Sequence, residues 1–187
     1  MKLRNLLAMT IISLATVGMA GAQMSNMKDP MVGGAAMYPT KNIVENAMNS
    51  QDHTTLVAAI QAAGLVSTLE GPGPFTVFAP TNEAFAKLPT GTVDTLVKPE
   101  NKDTLTKILT YHVVSGRLST NDIKKMIKAG KDTAHLSAVS GGTITATMQG
   151  GKIVLTDEKG GTAMITIANV YQSNGVIQVI DSVLMPS

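Results

Sequence analysis

The sequence predicts an α+β fold with helices mainly in its N-terminal half and β-hairpins in its C-terminal half. Three observations carry this. Between Thr40 and Gly130, apolar residues recur at helical spacing, in short stretches closed by Gly or Pro. From Thr143 onward they alternate at a period of two, with glycine-rich turns between the runs. The helices also come first and the hairpins later, which is the order of an α+β fold and not of an alternating α/β one.

In chain order, residues 1–22 read as a secretory signal peptide. Lys2 and Arg4 make a positive start, Leu6 to Val17 is an apolar run, and Ala20-Gly21-Ala22 is an A-x-A cleavage site that would leave Gln23 first in the mature chain. The apolar run is shorter than the roughly 20 residues a membrane span needs. Residues 23–39 read as a flexible leader containing Gly, Pro and four methionines: Met24, Met27, Met31 and Met37. Thioethers are soft ligands suited to Cu(I), so a copper-holding tail is the alternative to a plain linker here, although no His or Cys accompanies the methionines.

Residues 40–187 are expected to form one domain. Thr40 is placed as the cap of a helix carrying Ile43, Val44, Ala47 and Met48 on one face. Asp52 is placed as the cap of a second, with Leu56, Val57, Ile60 and Ala63 inward and Gly64 as its stop. One further turn runs to Leu69, and Gly71-Pro72-Gly73-Pro74 breaks the chain before a strand at Phe75–Ala79. Short helices follow at Thr81 or Asn82 to Leu88 and at Thr92–Val97. Pro99 opens the first turn of a helix with Leu105, Ile108 and Leu109 inward, which exits into a strand near Tyr111. Ser119 caps the next, with Ile123, Met126 and Ile127 inward and Gly130 as stop. The strands are His135–Val139, then Thr143–Met148 with Ile144, Ala146 and Met148 on one face. Gly150-Gly151 turns the chain into Ile153 and Leu155, and a second turn at 157–161 leads to Ala163, Ile165 and Ile167. Val176 to Ile180 is apolar almost throughout, the pattern of a strand buried on both faces.

Composition narrows the function. The chain has 187 residues, no Cys, no Trp and six aromatics, with 15 Lys+Arg against 13 Asp+Glu. Without Cys there is no disulfide, no Cys nucleophile and no Cys-ligated metal. Without Lys2 and Arg4 the basic and acidic residues balance, so no basic excess or Trp platform points to nucleic acid. No zinc-protease, nucleophile-elbow, phosphate-loop or dinucleotide motif is present, and His53 and His135 lack a partner at metal-ligand spacing. The absence of these motifs argues against catalysis.

Three segments carry a family resemblance. Thr76-Val77-Phe78-Ala79-Pro80-Thr81-Asn82-Glu83-Ala84-Phe85 resembles the first signature box of fasciclin domains. Tyr111-His112-Val113-Val114 resembles their central Tyr-His motif, and Asn174-Gly175 through Pro186 resembles the closing box. All three occur in the family's order within one domain, and the chain looks like a small bacterial secreted protein with a single fasciclin domain. The resemblance implies a β-sandwich or wedge with packed helices, no enzymatic activity and no cofactor. It also implies a role in cell-surface, matrix or biofilm adhesion through an unknown surface or matrix protein or glycan, in the periplasm or outside the cell.

Within the boxes, Thr76, Phe78, Pro80, Thr81, Asn82, Phe85, Gly175, Ile180 and Asp181 are expected to be structural. Thr81-Asn82 is a capping arrangement, and a carboxylate at Asp181 needs hydrogen-bond partners at the end of an apolar strand. The family's adhesive elements would fall on Tyr111 and His112 and on Asn169-Val170, the nearest match to an Asp-Ile pair of animal members. Asn169 lacks the carboxylate that an integrin-bound metal would take as ligand. For His112, the residues alone favour a satisfied core imidazole. The alternative function is binding of a small apolar ligand such as a lipid or glycolipid, in a groove lined by aliphatic side chains.

Overall fold

Asparagine and serine caps, αL glycines and a long, irregular strand shape the computed structural model, which describes residues 29–187. The segment expected to be a signal peptide, residues 1–22, and the leader methionines Met24 and Met27 lie outside the described residues.

The described chain begins with two short paired strands, β1 (Met31–Val32) and β2 (Ala35–Ala36). Here the structure differs from the expected flexible leader: Val32 and Met37 are 3% and 1% exposed and belong to the core. Met37 is therefore packed away as a hydrophobe, whereas Met31 is exposed. Asn46, itself buried, holds the segment down by accepting from Tyr38 N (3.0 Å) and donating to Tyr38 O (2.8 Å). Its Nδ2 also donates to the buried Gln172.

Helix α1 (Ile43–Ala47) is capped by Asn42 and not by Thr40. Asn42 and Glu45 form a reciprocal capping box that satisfies two orphan amides of the first turn. A 3-10 turn (Gln51–His53) leads into α2 (Thr54–Ala63). Asp52 does not cap α2. The side chain of Asn82 does so from across the fold, accepting from Thr55 N at 3.0 Å and from Thr54 Oγ1 at 3.2 Å. Gly64 ends α2 at φ 73°, a conformation that suits a residue without Cβ. Helix α3 (Val66–Glu70) follows, then strand β3 (Phe75–Pro80), α4 (Asn82–Ala86), α5 (Thr92–Leu96) and α6 (Lys102–Tyr111). Thr81 caps α4 as expected, accepting from Ala84 N at 3.2 Å.

Strand β4 (Val113–Ser115) precedes α7 (Thr120–Ala129), which Ser119 and Asp122 cap as a box. Four strands follow, set around the two predicted turns: β5 (Thr133–Ser137), β6 (Thr143–Gln149), β7 (Lys152–Thr156) and β8 (Thr162–Gln172). The last strand is β9 (Gly175–Ile180). Met126 on α7 and Met148 on β6 are 37% and 38% exposed, not inward as expected. Each sits at the margin of its apolar stripe, where a long thioether can lie along the surface.

Seven strands form one sheet in the order β4-β3-β9-β8-β7-β6-β5. Strand β8 pairs with β7 through Thr162–Met164 and with β9 from Ile165 to Gln172, and its pairing with β9 carries two register shifts. The sheet therefore folds over, and a bridge between Val114 and Ala138 joins its two ends into a near-barrel. Within it β3 and β9 run parallel over six residue pairs. This pair is buried on both faces. Val77, Ala79, Ile177 and Val179 face the helices α1, α2 and α6, while Phe78 and Ile180 face the barrel interior with Ile144, Leu155 and Leu184.

Candidate functional site

The Tyr-His motif lies at the junction of α6 and β4, and both side chains are buried: Tyr111 is 0% and His112 2% exposed. Helical period places Tyr111 beside the barrel interior, where its ring fills apolar space and its hydroxyl donates to Thr143 O at 2.7 Å. Burial pushes its pKa up to about 12. The ring also lies against Gly142, where a Cβ would collide with it.

His112 is the C-cap residue of α6. Its Nδ1 lies 2.8 Å from Ile108 O, and its Nε2 lies 3.0 Å from Leu184 N. A carbonyl only accepts and an amide N–H only donates. The imidazole is therefore the neutral Nδ1–H tautomer, with both nitrogens engaged. Burial lowers its pKa to about 4, away from any role as a proton carrier at neutral pH. Its bond to Leu184 is one of several clips on the final segment. Asp157, 7% exposed, accepts from Lys159 N, Gly161 N and Met185 N at 2.7–2.9 Å. Glu158 accepts from Thr143 N and Ser187 N, and these bonds hold its pKa down to about 2.

Asn169 and Val170 sit in the irregular part of β8. Asn169 adopts φ 59°, which a short polar side chain tolerates when it is hydrogen-bonded locally. Its Oδ1 accepts from Thr120 N and its Nδ2 donates to Thr120 Oγ1, both at 2.8 Å. The fully buried Gln178 completes this cluster. It accepts from Asn169 N at 2.9 Å and donates to Leu118 O at 3.0 Å. Val170 is 0% exposed. Thus Tyr111, His112 and Val170 are interior residues, and Asn169 joins β8 to the start of α7. None of the four presents a free functional group.

Several box residues make contacts within the scaffold. Thr76 Oγ1 donates to Gly116 O and accepts from Leu118 N, tying β3 to the chain leaving β4. Phe85 packs in the helix-side core. Asp181 Oδ1 accepts from Met164 N at 2.8 Å, and Lys87 approaches its Oδ2 at 3.8 Å. At Gly175 a Cβ would land on the carbonyl oxygen of Phe75, so the parallel β3–β9 approach requires glycine. Periodicity could not reveal the Asn82 bridge, the Asn169–Gln178 cluster or the Asn46–Gln172 pair, because their partners lie far apart in sequence. Polar residues interrupting apolar runs were the available signal.

Two enclosed apolar spaces lie in the helix-side core, lined by residues such as Ile43, Leu56 and Ile60 and by Val32, Met37 and Val170. Each has a volume of about 10 Å³, around the least that admits one water and far below a lipid tail. Larger openings lie outside. One, of about 550 Å³, is lined by Leu118, Met126, His135 and Val139 where the sheet's two ends meet. Another, of about 240 Å³, lies between α7 and the β6–β7 turn. Among the described residues no helix is long and apolar enough to cross a membrane, and no cluster of three metal-ligating side chains occurs.

Comparison with known proteins places this geometry. The profile of the fasciclin domain matches residues 51–186. The protein sll1483 of Synechocystis sp. is 41% identical over 186 residues, covering 97% of this chain and 96% of its own length. The immunogenic protein MPB70 of Mycobacterium bovis is 33% identical over 210 residues, covering 100% of this chain and 99% of its own length. The cell surface glycolipoprotein MPB83 of the same species is 32% identical over 175 residues, covering 91% of this chain and 72% of its own length. In structure, the chain is similar to a FAS1 domain pair from the insect cell adhesion molecule fasciclin I, with a TM-score of 0.69 at 17% identity. That likeness covers 79% of this chain and 51% of the pair, and it is one of fold.

Proposed function

The chain belongs to the fasciclin domain family, and from that premise we propose that it is an exported, non-enzymatic adhesion or interaction module. The observation that carries this reading is its likeness, over 91% of its length, to a relative that is a cell surface glycolipoprotein. The n-region, apolar run and A-x-A site of residues 1–22 support export.

The geometry supports contact over chemistry. The motif histidine has both ring nitrogens occupied, and the motif tyrosine donates its proton to a backbone carbonyl. These residues hold the scaffold, and partners are met by exposed faces outside the three boxes. The small-ligand alternative gains no support from enclosed spaces of about 10 Å³.

The test is retention of the purified mature chain on envelopes of its own host, prepared from cells lacking the protein. Saturable retention, competed by unlabelled protein, is expected. Non-saturable retention equal to that of an unrelated neutral protein would refute the reading.

A further inference from the structure

The mature chain is balanced in net charge, yet its charges are not mixed. Between Arg117 and Lys152 lie six basic residues and only two acidic ones, Asp122 and Asp132. The rest of the described chain has the opposite bias, with eleven acidic residues against six basic. Four of the cations, Lys124, Lys125, Lys128 and Lys131, lie on α7 or in the turn after it. Asp122 is engaged in capping α7, with Ser119 Oγ donating to it at 2.6 Å.

The open cleft of about 240 Å³ lies within this basic region. Lys124 reaches it from α7 and Lys152 from the start of β7, two elements that converge only in the fold. Thr120 and Thr166 add hydroxyls, Gly151 adds backbone, and the nearly buried Ile153 and Ile165 form an apolar floor. No carboxylate lines the cleft. Among the described residues neither Lys124 nor Lys152 has an ion-pair or hydrogen-bond partner, and both are exposed. Like charges held near one another without a counter-charge raise each other's energy, and an anion bound between them relieves that.

We propose that this cleft binds an acidic unit of a polysaccharide, a sugar ring bearing a carboxylate or sulfate group. Two ammonium groups take the anionic group, the threonine hydroxyls and the Gly151 backbone hydrogen-bond ring hydroxyls, and the aliphatic floor meets the ring's C–H face. The cleft is lined by no aromatic side chain, so a nucleic-acid base finds no stacking platform there. An open, shallow cleft of this size takes one sugar unit and leaves the polymer to run past it. The inference deepens the proposed adhesive role by naming a partner class.

The experiment titrates the mature chain with an oligogalacturonate, following amide NMR shifts. Neutral dextran, duplex DNA and anionic phospholipid vesicles are run in parallel. Shifts centred on Thr120, Gly151 and Thr166, weakened by added salt, are expected. The Lys124→Gln/Lys152→Gln variant should bind at least about tenfold more weakly, since a single lost charge-assisted hydrogen bond is already on that scale and the variant removes both ammonium groups. A Lys98→Gln/Lys102→Gln control should bind as wild type. Both lysines of the cleft are exposed, so the variant's spectrum should otherwise be unchanged. Equal binding by the cleft variant, shifts elsewhere, or tighter binding to DNA or vesicles would overturn the proposal. Failure here with saturable envelope retention intact would remove the glycan assignment alone; binding here without envelope retention would remove the adhesive role alone.

Discussion

Acid should loosen this domain through His112. The imidazole is 2% exposed, donates to Ile108 O and accepts from Leu184 N, and its pKa is lowered to about 4 from an ordinary 6.5. In the unfolded chain the ring takes a proton below 6.5, whereas the folded chain refuses it until about 4. The contribution of the neutral ring is therefore complete above pH 6.5 and is lost as pH falls from 6.5 to about 4. At about 1.4 kcal/mol per pKa unit, the loss amounts to about 3 kcal/mol. Urea unfolding of wild type and His112→Gln from about pH 7.5 to about pH 4 reads it out. Near neutrality the variant should be less stable by about 1–3 kcal/mol, because a buried carbonyl or amide loses its partner. That gap should close, and can invert, as the pH falls. His53, whose pKa burial also lowers, is present in both proteins and cancels in the difference. Parallel stability curves across this range would refute the assignment of a neutral, doubly hydrogen-bonded imidazole.

Three further outcomes follow from the packing. Asn82→Ala removes the acceptor from Thr55 N at the start of α2 and should cost about 1–2 kcal/mol in urea unfolding, with unchanged stability ruling out the distant cap. Gly175→Ala drives a Cβ into the Phe75 carbonyl between the parallel strands, and should lower stability by at least about 2 kcal/mol or abolish folding; a wild-type melting curve would disprove the close approach. Deleting residues 29–39 strips the buried Val32 and Met37 from the helix-side core and should cost about 3 kcal/mol or more, whereas a dispensable leader would leave the melting temperature unchanged.

Local chemistry was readable where one segment suffices. Ser119, Thr81, Gly64 and Gly150-Gly151 do locally what their residue types favour, and the all-apolar run of β9 is indeed buried on both faces. What periodicity could not convey is pairing at a distance. Nothing in Phe75–Pro80 alone says that it lies parallel to a strand a hundred residues later. The order of residues 31–37 is hidden for the same reason. Their short paired strands show no sustained period, and Val32 and Met37 are buried only because α1, His53 and Val170 come to meet them. Thr40 and Asn42 are both competent caps, and the choice of Asn42 rests on Glu45 completing the box. At the site, the Tyr-His motif was visible as sequence, and so was the apolar helical face that carries His112. The basic cleft was hidden because Lys124 and Lys152 belong to separate elements and a balanced total charge conceals their convergence.

The central claim is that this chain attaches its cell to something outside, and surface attachment by living cells tests it most directly. Cells of the native host lacking the protein should attach to an abiotic or matrix-coated surface less than the parent. Attachment should return with the wild-type gene and remain low with the Lys124→Gln/Lys152→Gln form at equal abundance. Attachment and biofilm formation indistinguishable between parent and deletion strain would contradict the account.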